Sequence, residues 1–353
     1  MSSVTVPVDS PPGLARRLLP PLLGGTLLAC AFVGLFTVAV HAPTPNDVRV
    51  AVVAPAPLQV RVAAGLDRAA PGGFDLVRYG SEAAARAALR DQDVSGVLVV
   101  AGPRPRLLVA SASGAPTAAV VRSAVGAAAG PHVTVADVRP LPPSDARGLS
   151  TFILVAGTTL GSLLFGALLF VLARDVSTAV LVATLVALAV LVGVVVAVTV
   201  DQVVGAVTGA FGAVAGVAAL LSLAVAAPAA ALSRLLGPAG IALAAILVLL
   251  LSLASSGGSV GPQMVPDFFS TLSGVLPAGA AQRALRSVVY FDGDAVAGPL
   301  AVLGRGRSAA CCSRSAPTER ESQRRSVWHE GVPGRCDRRR RTTAHPAADR
   351  SPP

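Results

Sequence analysis

Residues 176–200 read VSTAVLVATLVALAVLVGVVVAVTV, twenty-five positions without a charge. A helix needs ~20 apolar residues to cross ~30 Å of hydrocarbon, so this stretch is long enough to span a bilayer. Residues 150–173, 203–233 and 235–266 repeat the pattern: none holds Asp, Glu, Arg or His, and Lys occurs nowhere in the chain. Such runs predict an integral membrane protein, with lipid as the solvent around most of its helices.

An earlier run, Leu18–Val40, is also uncharged and follows Arg16 and Arg17. A signal peptide has an apolar region of only ~7–15 residues, so this run predicts an uncleaved span. Leu27, Leu28, Ala29 and Cys30 faintly match a lipoprotein processing site, but the apolar run continues to Val40, which argues against lipidation. We therefore expect 1–17 to be a cytoplasmic N-terminus and 18–41 the first transmembrane helix. Further spans are expected at Thr151–Ala173, Thr178–Val200, Val203–Leu232 and Ile241–Ser255. With the N-terminus cytoplasmic, Arg16, Arg17, Arg174 and Arg234 all fall on that side, in keeping with the positive-inside rule. The expected location is the plasma membrane, multi-pass, with Asp201 and residues 42–149 on the outer side.

Residues 42–149 have a different composition. Val48–Val53, Phe74–Tyr79, Val97–Val100, Arg106–Ala110 and Val133–Val138 read as short strands. Ser81–Arg90 reads as a helix with Ser81 as its N-cap, and Thr117–Ala129 as an Ala-rich helix. Strands alternating with short helices predict a small α/β domain. The expected fold class is a polytopic α-helical membrane protein with an extracytoplasmic α/β domain between its first and second spans. No cysteine falls between Ala42 and Leu149, so that domain folds without a disulfide.

Residues 150–303 are expected to form a transmembrane block: four spans, an outer amphipathic helix and a truncated last span. In Ala278–Phe291, Arg283, Arg286 and Tyr290 sit at i, i+3 and i+7, with Ala281, Leu285, Val288 and Val289 on the other side. That spacing predicts a helix lying at the outer interface. The apolar stretch Ala295–Gly304 stops after about ten residues, too short to span.

Mean hydropathy is +0.68, and only 14% of residues are charged, outside the soluble globular range. The net charge of +10 is concentrated at one end: residues 304–353 hold 12 of the 29 Arg but only 5 of the 19 acids. This stretch can be read as a basic tail for anionic headgroups, as disorder, or as an out-of-frame segment that cuts a sixth span. The interrupted run before it and the Lys-free, GC-rich usage favour the last reading. Nothing interleaves aromatics with a basic face, so no nucleic-acid partner is expected.

Two blocks resemble a known family. One is Leu141-Pro142-Pro143-Ser144-Asp145-Ala146-Arg147-Gly148, leading into the second span. The other runs from Gly237-Pro238-Ala239-Gly240-Ile241 through Ser255-Ser256-Gly257-Gly258, Pro266-Asp267-Phe268-Phe269 and Leu276-Pro277-Ala278-Gly279 to Arg283–Arg286 and Tyr290-Phe291. Together they resemble the actinobacterial branch of the phage infection protein (Pip) family, which belongs with the type-2 ABC transporter permeases. The resemblance covers about residues 18–303. It implies one span, a large outer domain and a block of five spans, with a separate cytoplasmic ATPase as partner. In this chain the final span is missing, and the turn Arg174–Ser177 is very short.

Gly157 and Gly161, Gly205 and Gly209, and Gly212 and Gly216 form small-xxx-small pairs, which let helix backbones approach closely in lipid. They are read either as ordinary packing within the bundle or as the face of a homodimer or a moving helix seam. Pro228 within the fourth span predicts a kink. Ionisable residues inside membranes mark proton and ion pathways, and the spans hold none, which argues against a proton-driven transporter. Arg283, Arg286 and Tyr290 are read as anchors at the phosphate layer or as a gate at an outer mouth.

A Walker loop needs Lys, so the chain is not itself an ATPase. His41, His132, His329 and His345 have no metal-ligand spacing. We expect no catalytic residues, no metal and no cofactor. The functional expectation is an export permease-like subunit that moves a hydrophobic or envelope-related molecule, with a separate ATPase and the lipid bilayer as partners. The alternatives are a non-transporting envelope or receptor-like protein, and an inactive truncated product.

Overall fold

The structure is a computed structural model. It describes residues 12–40, 44–100, 104–130, 132–172, 176–205, 209–258 and 260–312. The first eleven residues, Arg174 and residues 313–353 lie outside the described residues, so the readings of a cytoplasmic N-terminus and an out-of-frame tail bear mostly on segments not described.

Helix α1 (Pro12–Val40) leads into β1 (Val48–Val53), α2 (Ala56–Ala69), β2 (Phe74–Arg78), α3 (Glu82–Arg90), β3 (Gly96–Val99), β4 (Arg106–Val109), α4 (Ala115–Ala129) and β5 (Thr134–Asp137). The five strands form one sheet in the order β2-β1-β3-β4-β5. Strand β1 pairs in parallel with β2 and β3, β4 runs antiparallel to β3, and β5 is parallel to β4. All five expected strands are present. Ser81 caps α3, its side chain accepting a hydrogen bond from the Ala84 N–H. Alternation of side chains along the strands divides the sheet's two faces. Val50, Val52, Leu98, Leu107 and Val109 pack under α2 and α4, whereas Ala51, Val97, Val99 and Leu108 pack under α3.

The helical block consists of α5 (Ser150–Leu172), α6 (Thr178–Val198), α7 (Phe211–Leu236), α8 (Pro238–Ala245, continued by a π-helical stretch to Leu253), α9 (Asp267–Ser273), α10 (Pro277–Tyr290) and α11 (Ala297–Cys312). Four helices are long and apolar enough to cross a membrane: Leu22–Ala39 within α1, α5, α6 with its extension to Val203, and α7. The protein is a helical membrane protein on this ground. At the expected fifth span lies a shorter apolar helix, Pro238–Leu253, 16 residues long, ~24 Å at ~1.5 Å per residue. The fourth span is corrected. It begins at Phe211 rather than Val203, because Gly205 and Gly209 take positive φ of 66° and 85° and end the preceding helix. Helix α11 continues past Gly304, where the sequence changes character, to Cys312.

Helix α7 is the central member of the block. Its Val217, Leu221 and Val225 are buried among residues of α5, α8, α10 and α11. Close approaches are made by Gly166 and Gly193. A Cβ at Gly193 would lie 2.5 Å from the Ala215 carbonyl oxygen of α7, and one at Gly166 would lie 3.1 Å from Ala229 Cβ. Pro228 lies inside α7, which continues through it. Helix α1 is peripheral and mostly exposed, meeting α5 where Phe36 faces Phe152 with centroids 6.3 Å apart.

The sheet layer and the helical block share a core. Ala39 of α1 and Ala254, Val260, Met264, Val265 and Phe269 of the block pack into the same cluster as Val50, Val62 and Val121. The described residues up to Cys312 accordingly form one compact unit rather than a domain on a tether.

Candidate functional site: a polar bracket between sheet and helices

The expected outer-mouth residues all lie on α10, where Arg286 is buried and Arg283 and Tyr290 are half-buried. Both sides of this helix are covered: Ala278, Ala281, Ala284 and Leu285 on one, Gln282, Arg286 and Ser287 on the other. The helix is thus packed within the protein rather than lying free on its surface. Its polar side is buried because the polar groups of the sheet layer and neighbouring loops satisfy it.

Arg286 is 4% exposed. Its Nη1 donates to the Ser113 carbonyl at 2.7 Å, in the turn that precedes α4. Its Nη2 donates to the Gly258 carbonyl at 3.4 Å. One cation thus ties the sheet layer to the loop after α8. That loop presents its carbonyls inward because Gly257, Gly258 and Gly261 take φ of 74°, 50° and 100°, which L side chains rarely adopt. The Val260 carbonyl from the same loop accepts from Thr117 Oγ1 of α4 at 3.2 Å. Burial pushes the Arg286 guanidinium down to about 10, while the adjacent Tyr290 acts in the opposite direction. It remains a cation near neutral pH.

Tyr290, one turn further on, donates its hydroxyl to Asp145 Oδ2 at 2.8 Å. Asp145 also accepts from the Leu149 N–H at 3.0 Å and the Ser150 N–H at 3.1 Å. A carboxylate at this position satisfies free donors in the first turn of α5 and complements the positive end of its dipole. Burial, then the hydrogen bond and charge of Asp145, push the Tyr290 phenol up, and Arg286 partly offsets them. After Tyr290, Phe291 inserts fully buried into the cluster beneath α3. Asp292 then turns in the left-handed region, φ 53°, which Asp tolerates better than most residues. Its carboxylate meets Arg139 Nη2 at 2.7 Å.

Arg283 belongs to a different arrangement. It donates to the Ser273 carbonyl and hydroxyl, each at 3.0 Å, and so closes the end of α9. Burial lowers its pKa. Arg286 and Tyr290 therefore act together at the sheet–helix junction, and Arg283 does not join them.

Further contacts complete the bracket. Gln92 Nε2 donates to Ser287 Oγ at 3.0 Å, and Gln282 Nε2 to Thr151 Oγ1 at 2.9 Å. Asn46 donates its backbone N–H to the Gln263 carbonyl at 3.0 Å and its side chain to Asp267. Sequence reasoning did not single out Asp145, Gln282 or Ser113. Asp145 had a usable signal, an acidic residue just ahead of a long apolar run, which is a capping pattern. Ser113 offers only a backbone carbonyl and carries no such signal.

The six glycines expected at helix contacts face open space within the chain. A Cβ added at Gly157, Gly161, Gly205, Gly209, Gly212 or Gly216 meets nothing within 4 Å. Their reading as packing within one bundle is corrected, because Gly166 and Gly193 fill that role. Gly157 instead borders a lateral groove of about 390 Å³ between α5 and α6, with Ile153, Leu154, Thr158, Val196 and Val200 among its walls. Thr158 Oγ1 is buried there without a hydrogen-bond partner among the described residues. Among the described residues, no cluster of His, Cys, Asp and Glu could hold a metal ion.

No family model, curated protein or solved structure matches this chain.

Proposed function

We propose that this protein is a permease-like subunit of the plasma membrane that moves a hydrophobic, lipid-like or envelope-related molecule, powered by a separate cytoplasmic ATPase. On this reading it belongs with the type-2 ABC permeases of the Pip branch, N-terminus inside, with the sheet layer outside the cell. The observation that carries the reading is the groove between α5 and α6. It lies between two helices long enough to cross the membrane and is walled mainly by apolar side chains. Its volume suits an acyl chain. Uncharged spans agree with a cargo that needs no counter-ion and with energy supplied from outside the chain.

The bracket supports the same reading in a second way. Arg286 and the Tyr290–Asp145 pair join the sheet layer to the start of α5, a wall of the groove, so a shift of either body is felt by the other. The same rigidity suits the alternative, a receptor-like protein that displays its sheet layer at a fixed height without transport.

Purification of the tagged full chain from its native membrane separates these readings. A permease subunit is expected to bring down an ATPase in stoichiometric amount. In proteoliposomes holding both, ATP should drive movement of a fluorescent phospholipid, and Ile153→Trp should block it by filling the groove. Isolation of the chain without any ATPase, or lipid movement insensitive to Ile153→Trp, would overturn the permease reading.

A further inference from the structure

One side of the sheet is incompletely covered. Helices α2 and α4 share one face, whereas α3 alone packs on the other, and Tyr290, Leu141 and buried Phe291 fill part of the remainder. Between α3 and the segment following β5 a cleft of about 450 Å³ is left. It is lined by Ala83, Arg86, Arg90, Val138 and Arg139, three guanidiniums and no carboxylate.

The cleft's cations outnumber the acids that hold them. Arg86 pairs with Glu82 at 2.8 Å, but Glu82 also serves Arg106 at 2.8 Å. Arg139 pairs with Asp292, whose side chain is 77% exposed and free to be displaced. Arg90 is exposed and has no ion pair among the described residues. Asp91 and Asp93 follow it at the end of α3 but do not line the cleft. Arg86 and Arg90 stand four residues apart on α3, so both side chains rise on the same side of the helix. Planar guanidiniums in such a group match a tetrahedral oxyanion and bind it with paired hydrogen bonds.

The cleft also lies close to the start of a span. Asp292, the ion-pair partner of the cleft's Arg139, is two residues from Tyr290, which hydrogen-bonds the aspartate at the first turn of α5. Phosphate groups of a bilayer occur at about the depth where such a helix enters the hydrocarbon.

We propose that this cleft is a binding site for a phosphate-bearing ligand, its phosphate held by Arg90 together with Arg86 and Arg139. The phosphate replaces the exposed Asp292 carboxylate as the partner of Arg139. The chemistry is shared by a lipid headgroup and by a soluble phosphate. This site stands whether or not the chain moves a cargo.

The test uses the full chain in maltoside micelles, titrated calorimetrically with inorganic phosphate and with dihexanoyl phosphatidylglycerol at fixed salt. Saturable binding of at least one probe is expected. Arg90→Gln should weaken it about tenfold and R86Q/R90Q should abolish it. R61Q/R68Q, which removes two exposed arginines from α2 on the other face, should leave it unchanged. Binding of the lipid at least tenfold tighter than inorganic phosphate supports a headgroup site; equal binding supports a soluble phosphate. Absence of saturable binding, or equal weakening by the two double variants, would overturn the proposal. Unchanged detergent-unfolding midpoints verify that each variant is folded.

Discussion

The contact between Tyr290 and Asp145 joins the α10 end of the bracket to the start of a membrane span, and a double-mutant cycle measures it. Tyr290→Phe removes one hydroxyl and leaves the ring in place. The lost bond, 2.8 Å to a carboxylate, is charge-assisted, a class that contributes ~1.5–3 kcal/mol. Asp145 keeps its two backbone donors from Leu149 and Ser150, so no acceptor is orphaned, and the loss falls at the lower end, ~1.5 kcal/mol. Asp145→Ala removes that bond and the cap of α5 as well; a lost cap costs ~0.5–2 kcal/mol, which brings the total to ~2–4 kcal/mol. In the double variant only the cap term remains to be added to the first loss. The coupling energy between the two sites should therefore be ~1–2 kcal/mol. SDS-titration unfolding of the full chain in mixed micelles reads all four corners of the cycle. Coupling below ~0.3 kcal/mol, the scatter of independent sites, would show that the pair does not hold the junction.

Alkaline pH gives a second test. The Tyr290 pKa is raised on folding, so above pH ~10 the unfolded chain loses this proton while the folded chain keeps it. Wild type should then lose stability relative to Tyr290→Phe by ~1.4 kcal/mol per pH unit, read as unfolding midpoints at pH 9 and 11. Arg286 has the opposite sign: its pKa is lowered to about 10 and the folded chain gives up its proton first; because Tyr290 raises that pKa, the gain is at least as large in Tyr290→Phe, and the wild-type deficit keeps its sign. A constant difference between them from pH 9 to 11 would contradict the assignment. Gly193→Val should destabilise the chain by ~2 kcal/mol or more, because its Cβ would press on the Ala215 carbonyl. Gly157→Ala and Gly161→Ala should leave the monomer's midpoint within ~0.5 kcal/mol; a change in cross-linked dimer yield in either would assign that face to a homodimer. Gln282 donates to Thr151 but leaves its own carbonyl unpartnered. Thr151→Val alone should therefore cost ~1–3 kcal/mol, while T151V/Q282L should cost less than either single change. A double variant worse than both singles would refute the pairing.

Much of the fold can be read from local chemistry. The apolar runs mark α1, α5, α6 and α7, and Val-rich segments between turn residues mark the five strands. Ser81 ahead of an Ala-rich segment gives the start of α3. Helix α2 is less visible, since Ala56–Ala69 includes Gly65 and buries only Val62 and Leu66. Gly65 is there because α4 approaches closely: a Cβ would lie 2.7 Å from Ala128 Cβ. The start of α7 is hidden because Gly205 and Gly209 have the same apolar neighbours as helical glycines, and only their φ angles separate them. For α10 the polar spacing was legible but its partners were not. Arg286 is satisfied by a carbonyl 173 residues away, and composition cannot distinguish that burial from a place at the lipid surface.

The side of the membrane on which the sheet layer stands is tested most directly by cysteine labelling in intact cells. In a background with Cys30, Cys311, Cys312 and Cys336 replaced by Ser, Val60→Cys places a thiol on the exposed face of α2, where Val60 is 62% accessible. Leu235→Cys places one at the far end of α7, where Leu235 is 77% accessible. A membrane-impermeant maleimide should label Val60→Cys in intact cells and Leu235→Cys only after permeabilisation. Labelling in the reverse order, or recovery of the chain in the soluble fraction after an alkaline wash, would contradict a membrane protein whose sheet layer stands outside the cell.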